Sequence, residues 1–399
     1  MAKNEKEKIS IDCLMACLYF VCLPFTVVTT PVGSLLKVVT FPVVLILSLR
    51  ILMGKSDLTF NYIHFFYGLY IIYTVGLLVV YSEKITVTTT KDMILGALML
   101  LLITIRIYNN REKELMETAW IVVGVICVFA CLTSSEVVSE SESRAVIRIF
   151  GYEEDQNQFC AYLIMPTLIS IKRIIKKDKL FPAYIIFVGL SFYAILKTGS
   201  RGGLIGVMAG LAVYIMIGIR SLKIRLGVIA AALMSVFIFY TAVMPMLPDD
   251  VRERYSVSAV KEDGGSGRFE IWSFLVDYTM QRPERMIRGS GVFSTYSIMY
   301  SAGFKNGVAH NAYIQILNDE GLIGLLLFMT VIILCIIRNI KKEPVYMAGT
   351  IALLAFSMSL TFYVFKPYLN IVMMCAMSFE GTLPEDRLGK LSKGECENA

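Results

Sequence analysis

Repeated apolar runs of about 20 residues, separated by short charged segments, constrain this chain more than any other feature. A run of that length crosses the roughly 30 Å of a bilayer's hydrocarbon as a helix, and a soluble domain could not bury so many of them. Candidate spans lie near 10–30, 34–53, 62–82, 91–108, 118–134, 158–171, 181–197, 203–219, 226–245, 319–337, 345–365 and 368–380. The run at 91–108 is short, and 345–380 reads either as two spans or as one bent span. The expected fold is an all-α polytopic membrane protein of about twelve transmembrane helices. Over the whole chain, 56% of residues are apolar, in keeping with that class.

Lysine and arginine placement orients the helices, because basic residues in short loops stay on the cytoplasmic side. Lys3, Lys6 and Lys8 precede the first span, and Arg50 and Lys55 follow the second. Arg106, Arg111 and Lys113 follow the fourth, and the cluster from Lys172 to Lys179 follows the sixth. Arg220, Lys223 and Arg225 follow the eighth, and Arg338, Lys341 and Lys342 follow the tenth. Every second loop is basic, so these loops and both termini are expected in the cytoplasm. The acidic segment 135–157, the long polar segment 246–310 and residues 197–203 are then expected outside. The first span has no small-x-small cleavage signature after its apolar run and is expected to stay as an anchor. The predicted divisions are N-terminal helices over 1–134, a core over 135–345, C-terminal helices over 346–380 and a cytoplasmic tail over 381–399.

The segment 246–310 has internal punctuation. Gly264-Gly265-Ser266-Gly267 breaks the chain, and Gln281-Arg282-Pro283 stops whatever helix follows it. Between them Phe269, Trp272, Leu275 and Val276 fall at helical spacing, which predicts a short amphipathic helix over the bundle, bracketed by this break and by Arg288-Gly289-Ser290-Gly291. Arg268 opens that helix, where the dipole disfavours a cation. It either pairs with Glu270 or solvent, or offers its planar fork to a phosphate. Arg282, Arg285 and Arg288 form a basic cluster open to the same two readings.

Two further external elements carry candidate chemistry. Ser200-Arg201-Gly202-Gly203 joins two apolar spans, with Lys197 one helical turn away. Arg201 could snorkel, but two cations at an external helix end run against the charge rule, which favours a functional role. His310-Asn311 opens the segment that runs through Glu320 to Gly321-Leu322-Ile323-Gly324, a Gly-x-x-Gly expected to let one helix pack closely on its neighbour. An imidazole at a membrane–water boundary suits proton transfer or phosphate contact. Asp155-Gln156-Asn157 closes the acidic loop, where Asn157 reads as a helix N-cap beside the same external mouth.

Other chemistries lack residues. The chain has two histidines. His64 sits among Tyr62, Phe65, Phe66 and Tyr67, where an aromatic belt at the membrane interface accounts for it. No pair of metal-spaced ligands, Walker loop or G-x-S-x-G elbow occurs, so no metal, cofactor or hydrolase site is expected. The nine cysteines lie in apolar spans or, for Cys396, in the tail, and read as small apolar residues. The formal charge of +6 comes largely from the cytoplasmic loops, and no nucleic-acid motif accompanies it.

Taken in order, Asp155-Gln156-Asn157, the Ser-Arg-Gly-Gly at 200–203, the Gly-Arg-x-x-x-Trp at 267–272, the Gly-x-Gly at 289–291 and the His-Asn…Gly-x-x-Gly at 310–324 resemble the O-antigen ligase and O-antigen polymerase superfamily of bacterial envelope enzymes. The resemblance covers about residues 150–340. Gln156 replaces the proline of the family's Asp-Pro-Asn, and Arg285-Met286-Ile287-Arg288 replaces an apolar stretch. The resemblance implies a membrane-embedded, inverting glycosyltransferase with a GT-C-like bundle in the bacterial cytoplasmic membrane. Its donor would be an undecaprenyl-diphosphate-linked glycan, its acceptor a second glycan or lipid, and a chain-length regulator a further partner. Arg201, Arg268 and Arg288 would hold the diphosphate, His310 would act as base with Arg201 as its catalytic partner, and Asn157, Asn311, Glu320 and Lys197 would support them.

A polymerase joining repeat units is preferred over a ligase that delivers finished polymer, because nothing in the chain points to lipopolysaccharide as acceptor. A transporter or flippase would show related halves and charged residues near the midplane. The chain shows no clear repeat, and the charged residues inside the predicted spans, Lys37 among them, lie near the span ends.

Overall fold

The computed structural model describes residues 8–81, 87–134, 146–238, 241–242, 244–246, 252, 267–305, 307–361 and 366–380. The acidic stretch around Glu136, Glu140 and Glu142, the glycines at 264 and 265 and the tail 381–399 lie outside them.

Helices occupy all twelve of the predicted segments: α1 (Ile11–Val21), α2 (Leu35–Leu52), α3 (Tyr62–Tyr81), α4 (Val87–Thr104), α5 (Asn110–Thr133), α6 (Gln156–Ile175), α7 (Phe181–Lys197), α8 (Arg201–Val213) and α9 (Leu222–Ile238), and three more at the C-terminal end. Three short helices follow α9: α10 (Arg268–Met280), α11 (Pro283–Arg288) and α12 (Ser294–Ser301). Then come α13 (Ala312–Lys342), α14 (Pro344–Ser357) and α15 (Lys366–Ala376). Among the described residues six helices are fit by length and composition to cross a membrane: α2, α3, α5, α6, α13, and α8 with its π-helical extension to Gly218. The chain is thus a mostly helical, polytopic membrane protein.

The helices start where the sequence supplies side-chain acceptors for their first amides. Ser10, Ser34, Asp155 and Ser200 cap α1, α2, α6 and α8, and Asn109 with Glu112 forms a reciprocal capping box on α5. At the centre stands α6, where every residue from 159 to 171 is buried. A helix apolar all round can only be enclosed by others. Phe20 of α1 and Trp120 of α5 pack beside it in the same core, with ring centroids 5.4 Å apart. On the outside the pattern inverts. Phe41, Ile72, Phe129, Leu233 and Ile337 are exposed, as expected of surfaces that face hydrocarbon.

Among the described residues, basic side chains from several of these segments gather at one end of the bundle, held by carboxylates or carbonyls. Asp12 at the start of α1 receives Arg50 from the end of α2 at 2.5 Å and also Arg106 from beyond α4. Glu117 takes Lys172 at 2.5 Å, and Glu343 takes Lys113. Residues Ile107–Tyr108 pair in parallel with Ser378–Phe379, closing this end. His64 belongs here, and it is not a belt residue. It is 1% exposed, its Nδ1 accepts from the Asn61 amide at 3.0 Å, and its Nε2 lies 2.8 Å from Thr104 Oγ1. The Thr104 hydroxyl donates to the Leu100 carbonyl, so the imidazole carries its proton on Nε2 and is a buried strut between α3 and α4.

At the opposite end lie the short hairpin Thr29–Ser34, the hairpin Ile147–Glu154, the α7–α8 turn and residues 267–305 and 307–311. The second hairpin turns at Phe150 and Gly151, both at positive φ, and seats the Phe150 ring on Phe25.

Candidate functional site

Two groups of predicted residues form this end, and the packing of α14 joins them. The first is the mouth of α6 and α8. The turn between α7 and α8 is made by Gly199, at φ 67°, while Gly202 and Gly203 are already helical. Their absent side chains serve close packing. A Cβ on Gly202 would lie 1.9 Å from Ser359 Oγ, one on Gly206 would lie 3.0 Å from the Ala352 carbonyl, and one on Gly210 would lie 2.9 Å from that of Ala348. The α8 backbone therefore rests directly on α14 and carries Arg201, half-buried, at its first position.

Ser200 locks this mouth to α6. Its hydroxyl donates to Asn157 Oδ1 at 2.7 Å and accepts from the Gly203 amide at 3.1 Å. Asn157 is not the N-cap the sequence suggested. Asp155 takes that role, accepting from the Asn157 and Gln158 amides at 2.9 Å each, which leaves the Asn157 side chain to hold Ser200. Lys197 is 6% exposed and donates to the Cys131 carbonyl at 3.2 Å, so it ties α7 to α5.

The second group comes from the segment that begins at α10 and ends at the turn into α13. Arg268 opens α10, half-buried, after Gly267 at φ 72°. The buried face of α10 is Ile271, Leu275 and Thr279, packed with Met299 and Ala309, whereas Phe269 is 64% exposed. This face turns toward α12 and α13, about one residue's rotation from the stripe read in the sequence. Gln281 and Arg282 separate α10 from α11 as expected.

Arg288 ends α11, and the next residue explains how the segment is held. The backbones of Gly289 and Gly321 touch. A Cβ on Gly289 would sit 2.3 Å from the Asp319 carbonyl, and one on Gly321 would sit 2.4 Å from the Gly289 nitrogen. Ser290 and Gly291 donate their amides to the Asn318 and Asp319 carbonyls at 2.8 and 3.0 Å, and Tyr73 of α3 donates to the carbonyls of both Arg288 and Glu320. The Gly-x-x-Gly is therefore not the helix-packing face it was expected to be. Gly321, at φ 69° and ψ −168°, breaks α13, and Gly324 leaves room for the Glu320 side chain that folds over it. Glu320 itself is fully buried, its carboxylate against Tyr70 and Thr74 of α3, each 3.3 Å away.

His310 stands at the turn into α13, half-buried and at φ 49°. Side chains at positive φ are uncommon, and histidine is among the few enriched there. Asn311 then caps α13, accepting from the Tyr313 and Ile314 amides at 3.0 and 3.2 Å. The Tyr313 hydroxyl donates to the Leu354 carbonyl of α14 at 2.7 Å. Leu354 lies within about one turn of Phe356 and Ser359, the residues that face Gly202 and Gly206. Arg201 and His310 thus flank the same end of α14.

The structure therefore places Arg201, Asn157, Arg268, Arg288, His310 and Asn311 at one end, and it sends Lys197 and Glu320 into packing roles. Tyr73, Tyr313, Gln315 and Asp319 also shape the site. Polar side chains interrupting apolar helices were their only signal in the sequence.

Comparison with curated proteins gives no match. A family model described as O-antigen ligase matches residues 186–329, the stretch that holds Arg201, α10, the Gly289–Gly321 contact and His310. Over that stretch the chain is similar to the O-antigen ligase family, as its motifs suggested.

Proposed function

We propose that this protein polymerises undecaprenyl-diphosphate-linked repeat units into a cell-surface polysaccharide on the outer face of the bacterial cytoplasmic membrane. Both termini lie in the cytoplasm, with the basic, ion-paired end inward and the His310 end outward, as positive-inside placement requires. The carrying observation is that the Arg201 helix start and the His310 turn flank one end of α14, with the Arg268 helix bonded through Trp272 to the residue before His310. The His310 imidazole takes the proton of the acceptor hydroxyl as that oxygen bonds to the anomeric carbon. The bond to the diphosphate breaks on the opposite face, inverting the centre. Charge gathers on the leaving diphosphate, where fixed guanidinium groups stabilise it most. No metal step is needed for this chemistry.

The test is polysaccharide length on gels after deletion of the gene. Loss of long chains with single repeats retained supports the polymerase. Accumulation of long chains on the lipid carrier supports the second reading, a ligase that hands finished glycan to another acceptor, which the description of the matched family favours. A wild-type ladder refutes both.

A further inference from the structure

A buried polar network lies behind His310, and its bonds run in one direction. Asp319 is fully buried in α13. Its Oδ1 accepts from the Thr295 amide at 2.8 Å, the Thr295 hydroxyl at 2.6 Å and the Ser294 hydroxyl at 3.2 Å, so it holds the first turn of α12. Its Oδ2 faces Gln315 Nε2 at 3.5 Å. With its nitrogen committed to Asp319, Gln315 turns its Oε1 away, and that oxygen accepts from the Ala309 amide at 3.1 Å. The Ala309 carbonyl in turn accepts from Trp272 Nε1 of α10 at 2.8 Å. The peptide groups on both sides of Ala309 are thus fixed immediately before the left-handed backbone of His310.

We propose that Asp319 and Gln315 are positioning residues, a two-step relay that orients the Ala309–His310 backbone and so aims the imidazole at the acceptor. The proposal rests on the assignment of His310 as base. Its logic is one of donors and acceptors. A carboxylate only accepts, and an amide has one end of each kind, so Asp319 dictates which end of Gln315 reaches Ala309. In a buried setting a mismatch at either step leaves polar groups facing their own kind.

Asp319→Asn makes the prediction sharp. If the new amide nitrogen takes the Oδ2 place, it opposes Gln315 Nε2. If it takes the Oδ1 place, it opposes the Thr295 amide. Relief by rotation of Gln315 turns Nε2 onto the Ala309 amide and breaks the clamp. Gln315→Glu sets two carboxylates against each other. The double variant restores the order: the amide nitrogen at 319 donates to the carboxylate at 315, whose other oxygen accepts from Ala309.

The experiment uses the full chain in nanodiscs with two readouts. The first is the rate at which diethyl pyrocarbonate modifies His310, followed by mass spectrometry, with buried His64 as the internal reference. The second is transfer from a polyprenyl-diphosphate oligosaccharide. Each single substitution is expected to change the His310 modification rate severalfold and to lower kcat about tenfold at little change in donor KM, the effect of losing one buried hydrogen bond in the positioning of a reacting group. The double variant should recover both toward wild type. Where a single variant fails to fold, recovery of folded protein in the double reports the same coupling. A double variant as impaired as the worse single, or singles with unchanged His310 reactivity, overturns the relay. If reactivity follows the expected pattern but His310→Ala leaves transfer intact, the relay stands and the base assignment falls.

Discussion

Gly321→Ala tests the backbone contact between α13 and the turn at Gly289. The native backbone at 321 has φ 69° and ψ −168°, a region that only glycine occupies without strain. An alanine there costs about 1–3 kcal/mol in backbone strain. Its Cβ would also lie 2.4 Å from the Gly289 nitrogen, 2.5 Å from the Ile287 carbonyl and 2.6 Å from the Arg288 carbonyl carbon. All three are backbone atoms, so no side chain can swing aside, and overpacking adds about 1–3 kcal/mol more. The sum, roughly 2–6 kcal/mol, is of the size of what the local hydrogen bonds from Ser290, Gly291 and Tyr73 supply together at about 1 kcal/mol each, so this contact is expected to open. Undocking is the expected response, with Arg288 carried away from the bundle. The assay is glycan transfer and thermal unfolding in detergent, with Gly227→Ala as control. Gly227 lies inside α9, where a Cβ meets nothing within 4 Å, and alanine there should be neutral or slightly stabilising. Wild-type transfer and an unchanged melting temperature in Gly321→Ala would refute the reasoning.

Arg201→Lys should impair transfer even though the charge is kept, because an ammonium cannot make a bidentate contact with phosphate; losing one charge-assisted bond costs about 1.5–3 kcal/mol, or tenfold to more than a hundredfold in rate. Near-normal polymer from normal amounts of that variant would return Arg201 to interfacial snorkelling. His310→Ala should cut turnover by about 10²–10⁴-fold while the protein still inserts and folds, and wild-type turnover removes it as base. His64→Ala, by contrast, should lower stability, since it breaks the bonds to Asn61 and Thr104, so the more fitting activity control is a lipid-facing residue such as Phe129. In a cysteine-free background, a cysteine at Glu153 should react with an impermeant reagent on intact cells and one at Lys177 should not; the reverse result sinks the orientation.

The helices were legible because membrane solvation leaves one reading for a long apolar run: every backbone polar group must be bonded within the segment. The two ends were legible because charge follows the same rule, and Arg50, Arg106, Lys113 and Lys172 do meet their carboxylates at one end. What the sequence hid was the use made of individual polar and glycine residues. Asp155 and Asn157 are both good caps two residues apart, and only the hydrogen bonds tell which one caps. A Gly-x-x-Gly in an apolar run looks the same whether its glycines pack a helix or break one. The buried face of α10 could not be read from its large residues, because its neighbours are α12 and α13, themselves short and irregularly placed.

The break at Gly321 is also what reconciles one long helix with two environments. At about 1.5 Å per residue the 31 residues of α13 would reach roughly 46 Å, well beyond the ~30 Å of hydrocarbon. The roughly 21 residues after Gly321 alone span about 31 Å, enough for the crossing. The part from Ala312 to Glu320 is then not needed for the crossing. It carries instead Gln315, Asn318 and Asp319, all buried against α10, α12 and the turn at Ala309. Polar residues that would be costly in hydrocarbon become the means of fixing an external segment to a spanning helix. Tyr73 of α3 holds the Glu320 carbonyl next to Asp319, and from Asp319 bonds run through Gln315 to the Ala309 backbone that precedes His310. Reactive groups in solvent can in this way be placed by helices whose own positions the bilayer sets.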